Sequence, residues 1–153
     1  MADDGAVGDS ADVRQKAPGT PLALLFGVLP ALDRQSLGKQ GEDLACAELE
    51  RRGYAVIARR YRSRFGEIDI VCRDGPRIVF VEVKARRTRR YGSAAEALTP
   101  RKRRRIAAMA LDYLAFTGQL NEPCRFDVVA IDGLGGDRMT MRVIPDAFSA
   151  DGR

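Results

Sequence analysis

Two apolar runs joined by a turn signal constrain the fold most. Ile68 to Cys72 is followed by Ile78, Val79, Phe80 and Val81, with Asp74-Gly75 between them. Asp-Gly between two β-prone runs specifies a tight hairpin. With Asp74 and Gly75 as the loop, Arg73 faces Pro76, Glu67 faces Glu82 and Asp69 faces Phe80. Side chains alternate faces along a strand. Asp69, Glu82 and Lys84 then share one face, with Asp69 diagonal to Glu82. Two carboxylates and one ammonium project together from strands that are otherwise apolar. Burying them without a partner is costly, and a divalent cation is the natural partner for the carboxylates.

Mg²⁺ takes hard oxygen ligands, often one or two carboxylates with water and substrate phosphate. A lysine beside such a centre can position or deprotonate the attacking water, or stabilise charge developing at phosphorus. An isolated E-x-K tripeptide is common on solvated edge strands. The apolar hairpin and the co-facial Asp69 set this one apart. Glu67 fits either a fourth ligand or a plain surface charge.

Upstream, Leu37 to Arg52 reads as a helix closed by Gly53. Glu42 has Ala45, Cys46 and Leu49 at i+3, i+4 and i+7, so it lies on the inward flank, unlike Asp43. Gly38 and Gly41 remove bulk beside it. Glu42 can join Asp69 and Glu82 around a metal; alternatively the positive end of the helix dipole holds it. Tyr54 to Ala58 reads as a strand leading into Arg59-Arg60-Tyr61-Arg62-Ser63-Arg64-Phe65. That segment can track phosphates through Arg62 and Arg64, with Tyr61 or Phe65 stacking on an unpaired base. The same rings can equally belong to the core.

After Lys84 comes a basic loop, Arg86-Arg87-Thr88-Arg89-Arg90. Thr99 and Pro100 then mark a helix as N-cap and N1. Ile106, Met109, Ala110, Tyr113 and Leu114 form its apolar stripe, and Gly118 ends it. Its first turns are Arg101-Lys102-Arg103-Arg104-Arg105. Cations at that end oppose the helix dipole, whereas a phosphate partner would be favoured there. Arg101, Lys102, Arg104 and Arg105, with Arg86 and Arg87, are the expected nucleic-acid contacts. Arg125 to Ile131 and Met139 to Ile144 complete the strands, and Gly133-Leu134-Gly135-Gly136 between them is a turn rather than a phosphate loop. The order helix, three strands, helix, two strands predicts an α/β fold, a mixed β-sheet flanked by helices.

Asp69 followed by Glu82-x-Lys84 resembles the D…(D/E)-x-K motif of the restriction-endonuclease-like nucleases. Gly38-Lys39-Gln40-Gly41-Glu42-Asp43, Gly66-Glu67-Ile68-Asp69, Phe80-Val81-Glu82-Val83-Lys84 and Thr99-Pro100-Arg101-Lys102 together resemble the bacterial YraN-like family. That family is similar in pattern to archaeal Holliday-junction resolvases. The resemblance covers roughly Leu37 to Ile144. It implies a restriction-endonuclease-like fold and a nuclease using Mg or Mn at Glu42, Asp69 and Glu82, with Lys84 completing the catalytic set.

The chain has 153 residues and a net charge of +5, with the positive excess concentrated between Arg59 and Arg105. Basic clustering favours a nucleic-acid partner over a membrane surface, and the resemblance implies DNA ahead of RNA. An arginine-rich composition alone would produce part of the same excess. No histidine is present, which removes serine–histidine and cysteine–histidine catalysis. Three widely spaced cysteines form neither a zinc set nor a disulfide framework and fit a reducing, cytoplasmic compartment. Residues 1–33 are expected to be a disordered extension carrying a short apolar segment, too short to span a membrane and without a signal-peptide cleavage site. Residues 34–146 form the nuclease-like domain and 147–153 a tail. A branched-DNA substrate would suit a homodimer with two sites, though the sequence marks no interface. A non-catalytic nucleic-acid-binding protein on the same fold is the other reading.

Overall fold

The computed structural model describes residues 34–88 and 98–151. The expected order is observed: α1 (Arg34–Arg51), β1 (Ala55–Ser63), β2 (Gly66–Asp74), β3 (Arg77–Arg86), α2 (Pro100–Phe116), β4 (Cys124–Asp132) and β5 (Thr140–Phe148). The five strands lie in the sheet in chain order. The β3–β4 pair is parallel and the other three pairs are antiparallel. Parallel neighbours need a long crossover, and α2 lies in it. The α/β fold with a mixed sheet is thus the observed architecture, consistent with a restriction-endonuclease-like fold.

Among the described residues, each face of the sheet carries one helix. Ala45, Cys46 and Leu49 of α1 pack on Ile70, Cys72, Val79, Val81, Val129 and Ile131. Ile106, Met109 and Tyr113 of α2 pack on Val71, Phe80, Phe126 and Val128. Burial on both sides explains why Ile78 to Val81 of β3 and Val128 to Ile131 of β4 read as unbroken apolar runs. Thr99 caps α2, its hydroxyl accepting from the Lys102 N–H at 3.2 Å, with Pro100 as the first helical residue. No helix among the described residues is long and apolar enough to cross a membrane.

The hairpin register differs from the expected one. Asp74 pairs with Arg77 and Arg73 with Ile78, so Gly75-Pro76 is the loop. Proline has no N–H to give a closing pair opposite Arg73. It is displaced into the turn, and Gly75 supplies the positive φ of 56°. The slip is two residues, which preserves the faces. Strand β1 runs through the basic segment to Ser63, past the expected end at Ala58. Strand β5 runs to Phe148, two residues beyond the expected domain edge at 146, because that ring stacks on Phe126 at 4.9 Å. The 1–33 extension and Arg89 and Arg90 of the basic loop lie outside the described residues.

Candidate metal and nucleic-acid site

The site begins where the strand alternation fails. Ile70 belongs to the α1-side core and Ile68 to the α2-side core, although only one residue separates them. Positions i and i+2 of a strand should point the same way, so the alternation skips at Asp69. The paired strand β1 skips with it. Arg59, opposite Ile70, bonds Asp43 of α1, while Tyr61, opposite Ile68, packs into the α2-side core. Between them Arg60 has φ of 53°, a left-handed conformation that a non-glycine residue adopts at a cost. The ladder between β2 and β3 stops at Ile70–Val81, and Asp69 Oδ2 instead accepts the Val83 N–H at 2.7 Å. A side chain has replaced a ladder bond, and a cleft of about 420 Å³ opens there. Glu42, Asp69, Glu82 and Lys84 all line it.

Glu42, Glu67 and Asp69 bring carboxylate oxygens within 4.8 Å of one another. That is about the span across an oxygen shell with metal bonds of ~2.1–2.4 Å, so this partly buried acidic cluster can hold a metal ion. Glu67, which the sequence left open between ligand and surface charge, is therefore in the cluster. Glu82 lines the same cleft, but its Oε1 is held by two ammoniums, Lys84 Nζ at 3.2 Å and Lys102 Nζ at 3.3 Å. Burial first, and then the neighbouring Glu82 carboxylate, push the Asp69 carboxyl up to about 7.

Glu42 arrives because α1 comes close to β3. A Cβ on Gly41 would sit 2.8 Å from the Ala85 Cβ, whereas one on Gly38 would meet nothing within 4 Å. Only Gly41 provides the close approach that both glycines were expected to give. Helix α1 starts at Arg34, three residues before the expected start, which puts Glu42 beyond its second turn. The dipole acts within the first turn, so it does not account for this acid. Arg60 does: its Nε donates to Glu42 Oε2 at 2.7 Å. Nothing in the sequence distinguishes Arg60 from Arg59. The backbone skip alone turns them to different partners.

The expected nucleic-acid contacts divide. Arg101 and Arg104 are exposed on the first turns of α2. Lys102 turns into the cleft to Glu82, and Arg105 Nε donates to the Phe65 carbonyl at 2.6 Å, tying the β1–β2 turn to α2. Arg62 pairs with Glu67 at 3.1 Å while remaining largely exposed, and Arg64 lies over the Phe65 ring. Arg86 ends β3, and Arg87 follows it beside Gly133 and Arg138. Arg103 leaves the basic set, its guanidinium turned toward the Phe148 ring at 5.9 Å.

The model of Uncharacterised protein family UPF0102 matches residues 41–131. The chain belongs to this family. The matched stretch opens at Gly41 and takes in Glu42, Asp69, Glu82 and Lys84, the charged residues that line the cleft, together with Glu67 and Lys102. A UPF0102 protein of Symbiobacterium thermophilum is 48% identical over 114 residues, 74% of this chain and 97% of that protein. One of Geobacter sulfurreducens is 51% identical over 112 residues, 73% and 88% of the two chains. One of Ralstonia pickettii is 48% identical over 118 residues, 74% and 90%.

Proposed function

We propose that the chain is a divalent-metal-dependent nuclease of the restriction-endonuclease-like superfamily. Its substrate is nucleic acid, DNA ahead of RNA, cleaved at branched or otherwise non-duplex structure. The observation that carries the reading is Asp69. It breaks the β2–β3 ladder, is pushed toward its neutral form by burial and then by Glu82 and Glu42, and forms no ion pair among the described residues. Native proteins satisfy buried charge, and an arrangement that leaves like charges together fits a centre completed by a cation. Glu42, Glu67 and Asp69 would hold Mg²⁺ or Mn²⁺, with Glu82 at the edge of the same cleft. Such an ion, when bound, would supply Lewis-acid stabilisation of charge at phosphorus. Lys84 would orient the attacking water and carry its proton, while Arg101 and Arg104 hold flanking phosphates.

A second reading has its own observation. Glu42 already has Arg60, and Glu82 already has Lys84 and Lys102. A site closed by internal cations suits a nucleic-acid-binding protein that does not cleave. Metal-dependent cleavage measured across duplex, single-stranded, flap and four-way substrates separates the two. The nuclease reading expects activity that Asp69→Ala and Glu82→Ala each reduce by a hundredfold or more while nucleic-acid affinity holds. Cleavage surviving in highly purified Asp69→Ala protein would remove the proposed centre. Binding without cleavage of any substrate would favour the second reading.

A further inference from the structure

Of the two rings the sequence offered for stacking, the structure separates one from the core. Tyr61 sits edge-on to Tyr113 at 5.0 Å and donates its hydroxyl to Asp112. Phe65 stands exposed at the tip of the β1–β2 turn. Beneath it is a concavity of about 250 Å³ lined by Arg64, Phe65, Ala108, Leu111, Asp112 and Ala115. Drug-sized ligands take roughly 300–1,000 Å³, so this hollow suits one ring system. Ala108, Leu111 and Ala115 form a stripe on the outer face of α2, and Leu111 is 60% exposed. Large apolar groups left in water beside a charged surface mark a contact site more often than chance.

We propose that this hollow is a subsite for a single unpaired nucleobase next to the cleft; the proposal rests on the nucleic-acid reading above. Three features select that occupant. The floor is apolar with one carboxylate, Asp112, which excludes a phosphate and accepts from an exocyclic amine. The rim is cationic: Arg64 lies 4.7 Å from the Phe65 ring centroid, and Arg104 is one turn before Ala108 on the same stripe. A second copy of the chain would bring these arginines against their own kind, whereas a nucleotide brings a phosphate to them. The turn is also held in place. Arg105 Nε bonds the Phe65 carbonyl, the Phe65 N–H bonds Ser63 Oγ at 3.1 Å, and Gly66 at φ 136° leaves room for the Arg105 guanidinium, which a Cβ would meet at 2.7 Å. A fixed ring loses little freedom on stacking. Phe65 is two residues from Glu67 of the carboxylate cluster, at most about 7 Å of extended chain. A base held there places its neighbouring phosphate at the cleft, which makes an unpaired nucleotide the feature by which a non-duplex substrate is recognised.

The chain contains no tryptophan, so Phe65→Trp installs a single fluorophore that still stacks. Full-length parent, Phe65→Ala and Phe65→Trp proteins are titrated without metal against three probes. These are a single-stranded deoxyadenosine oligonucleotide, the same strand carrying abasic sites, and a blunt duplex. Phe65→Ala should bind the intact strand about five-fold or more weakly, with the abasic strand and the duplex unchanged. Phe65→Trp should keep the parent's affinity, and its fluorescence should be quenched by the intact strand and not by the abasic one. Equal affinity of Phe65→Ala and parent for the intact strand, or binding without quenching in Phe65→Trp, overturns the subsite while leaving the nucleic-acid reading in place. A parent that binds none of the probes overturns both. A dimer that Phe65→Ala or Leu111→Ser converts to monomer in sedimentation, with strand affinity unchanged, assigns the hollow to self-association and overturns the proposal.

Discussion

Two acids on this sheet, the fully buried Asp127 and the half-buried Asp69, are treated in opposite ways. Asp127 of β4 is fully buried and fully engaged. It accepts from Arg125 Nε at 2.9 Å, Arg125 Nη2 at 3.1 Å, the Tyr54 hydroxyl at 3.2 Å and the Asp146 N–H at 3.0 Å. Arg125 reaches on to Asp74 at 2.8 Å. Asp69 of β2 accepts one backbone N–H and faces mainly like charge from Glu82 and Glu42, with Lys102 acting on it only weakly and forming no ion pair with it. The first arrangement is complete without anything from outside, and a complete network rigidifies the fold. The second lacks a positive partner of its own. Burial of an acid is therefore not the mark of a site here; incomplete compensation of that acid is.

The contrast is most directly broken by removing each acid. Asp127→Ala strands the largely buried Arg125 and should cost about 3–5 kcal/mol. Asp69→Asn, in metal-free protein, should hold or raise stability because it removes a like charge. Urea denaturation of both variants decides this. Equal losses would erase the difference between the two acids.

A pH titration sharpens the same point. Asp69 goes from an ordinary 3.8 to about 7 in the folded chain, because of burial and then Glu82. Between those values the unfolded chain has released a proton that the folded chain keeps. The contribution of this group to stability therefore falls as pH rises from about 4 to about 7 and is level above that. The slope should be smaller in Asp69→Asn and present in metal-free parent. An identical slope in both would place the effect elsewhere.

Divalent ions should act on one acid and not on the other. Mg²⁺ or Mn²⁺ at a hundred times its Kd stabilises a folded protein by about 2.7 kcal/mol, read as a melting temperature several degrees higher. EDTA should reverse the rise, and Asp69→Asn should lack it. A rise that persists in Asp69→Asn would move the metal away from this cluster.

The smallest effect expected is from Gly41→Ala. Overpacking against Ala85 should cost about 1–3 kcal/mol, offset in part by the better helix propensity of alanine. Pushing α1 off β3 moves Glu42 and leaves the Asp127 network untouched. Metal-linked stabilisation should fall by more than the resting stability does. If both are unchanged, the approach of α1 does not set the position of Glu42.

Much of this was legible in the chain. The period of the apolar residues fixed the helices and strands, since burial on one face or two leaves a direct trace in sequence. Glu82 and Lys84 were legible as a co-facial pair because strand parity survives a two-residue slip, whereas Asp69 joins them by taking the Val83 N–H where the alternation skips. Glu42 was legible because its i+3, i+4 and i+7 neighbours are apolar. The turn was misplaced by one residue at each end, because the Asp-Gly preference competes with the inability of Pro76 to close a ladder.

What stayed hidden depends on contacts distant in sequence. Arg59 and Arg60 are chemically identical, and only a left-handed residue in the middle of β1 sends one to Asp43 and the other to Glu42. Lys102 reads as one cation among five on a helix start, and only the packing of α2 on the sheet brings it to Glu82. Glu67 is a cluster member because the folded chain brings its carboxylate within 4.8 Å of those of Glu42 and Asp69. Sequence by itself determined which side chains are apolar, which are charged and how they repeat, because those properties are local. Tertiary structure decided which charges compensate one another, because electrostatic pairing acts through space between segments whose separation along the chain carries no information about their distance.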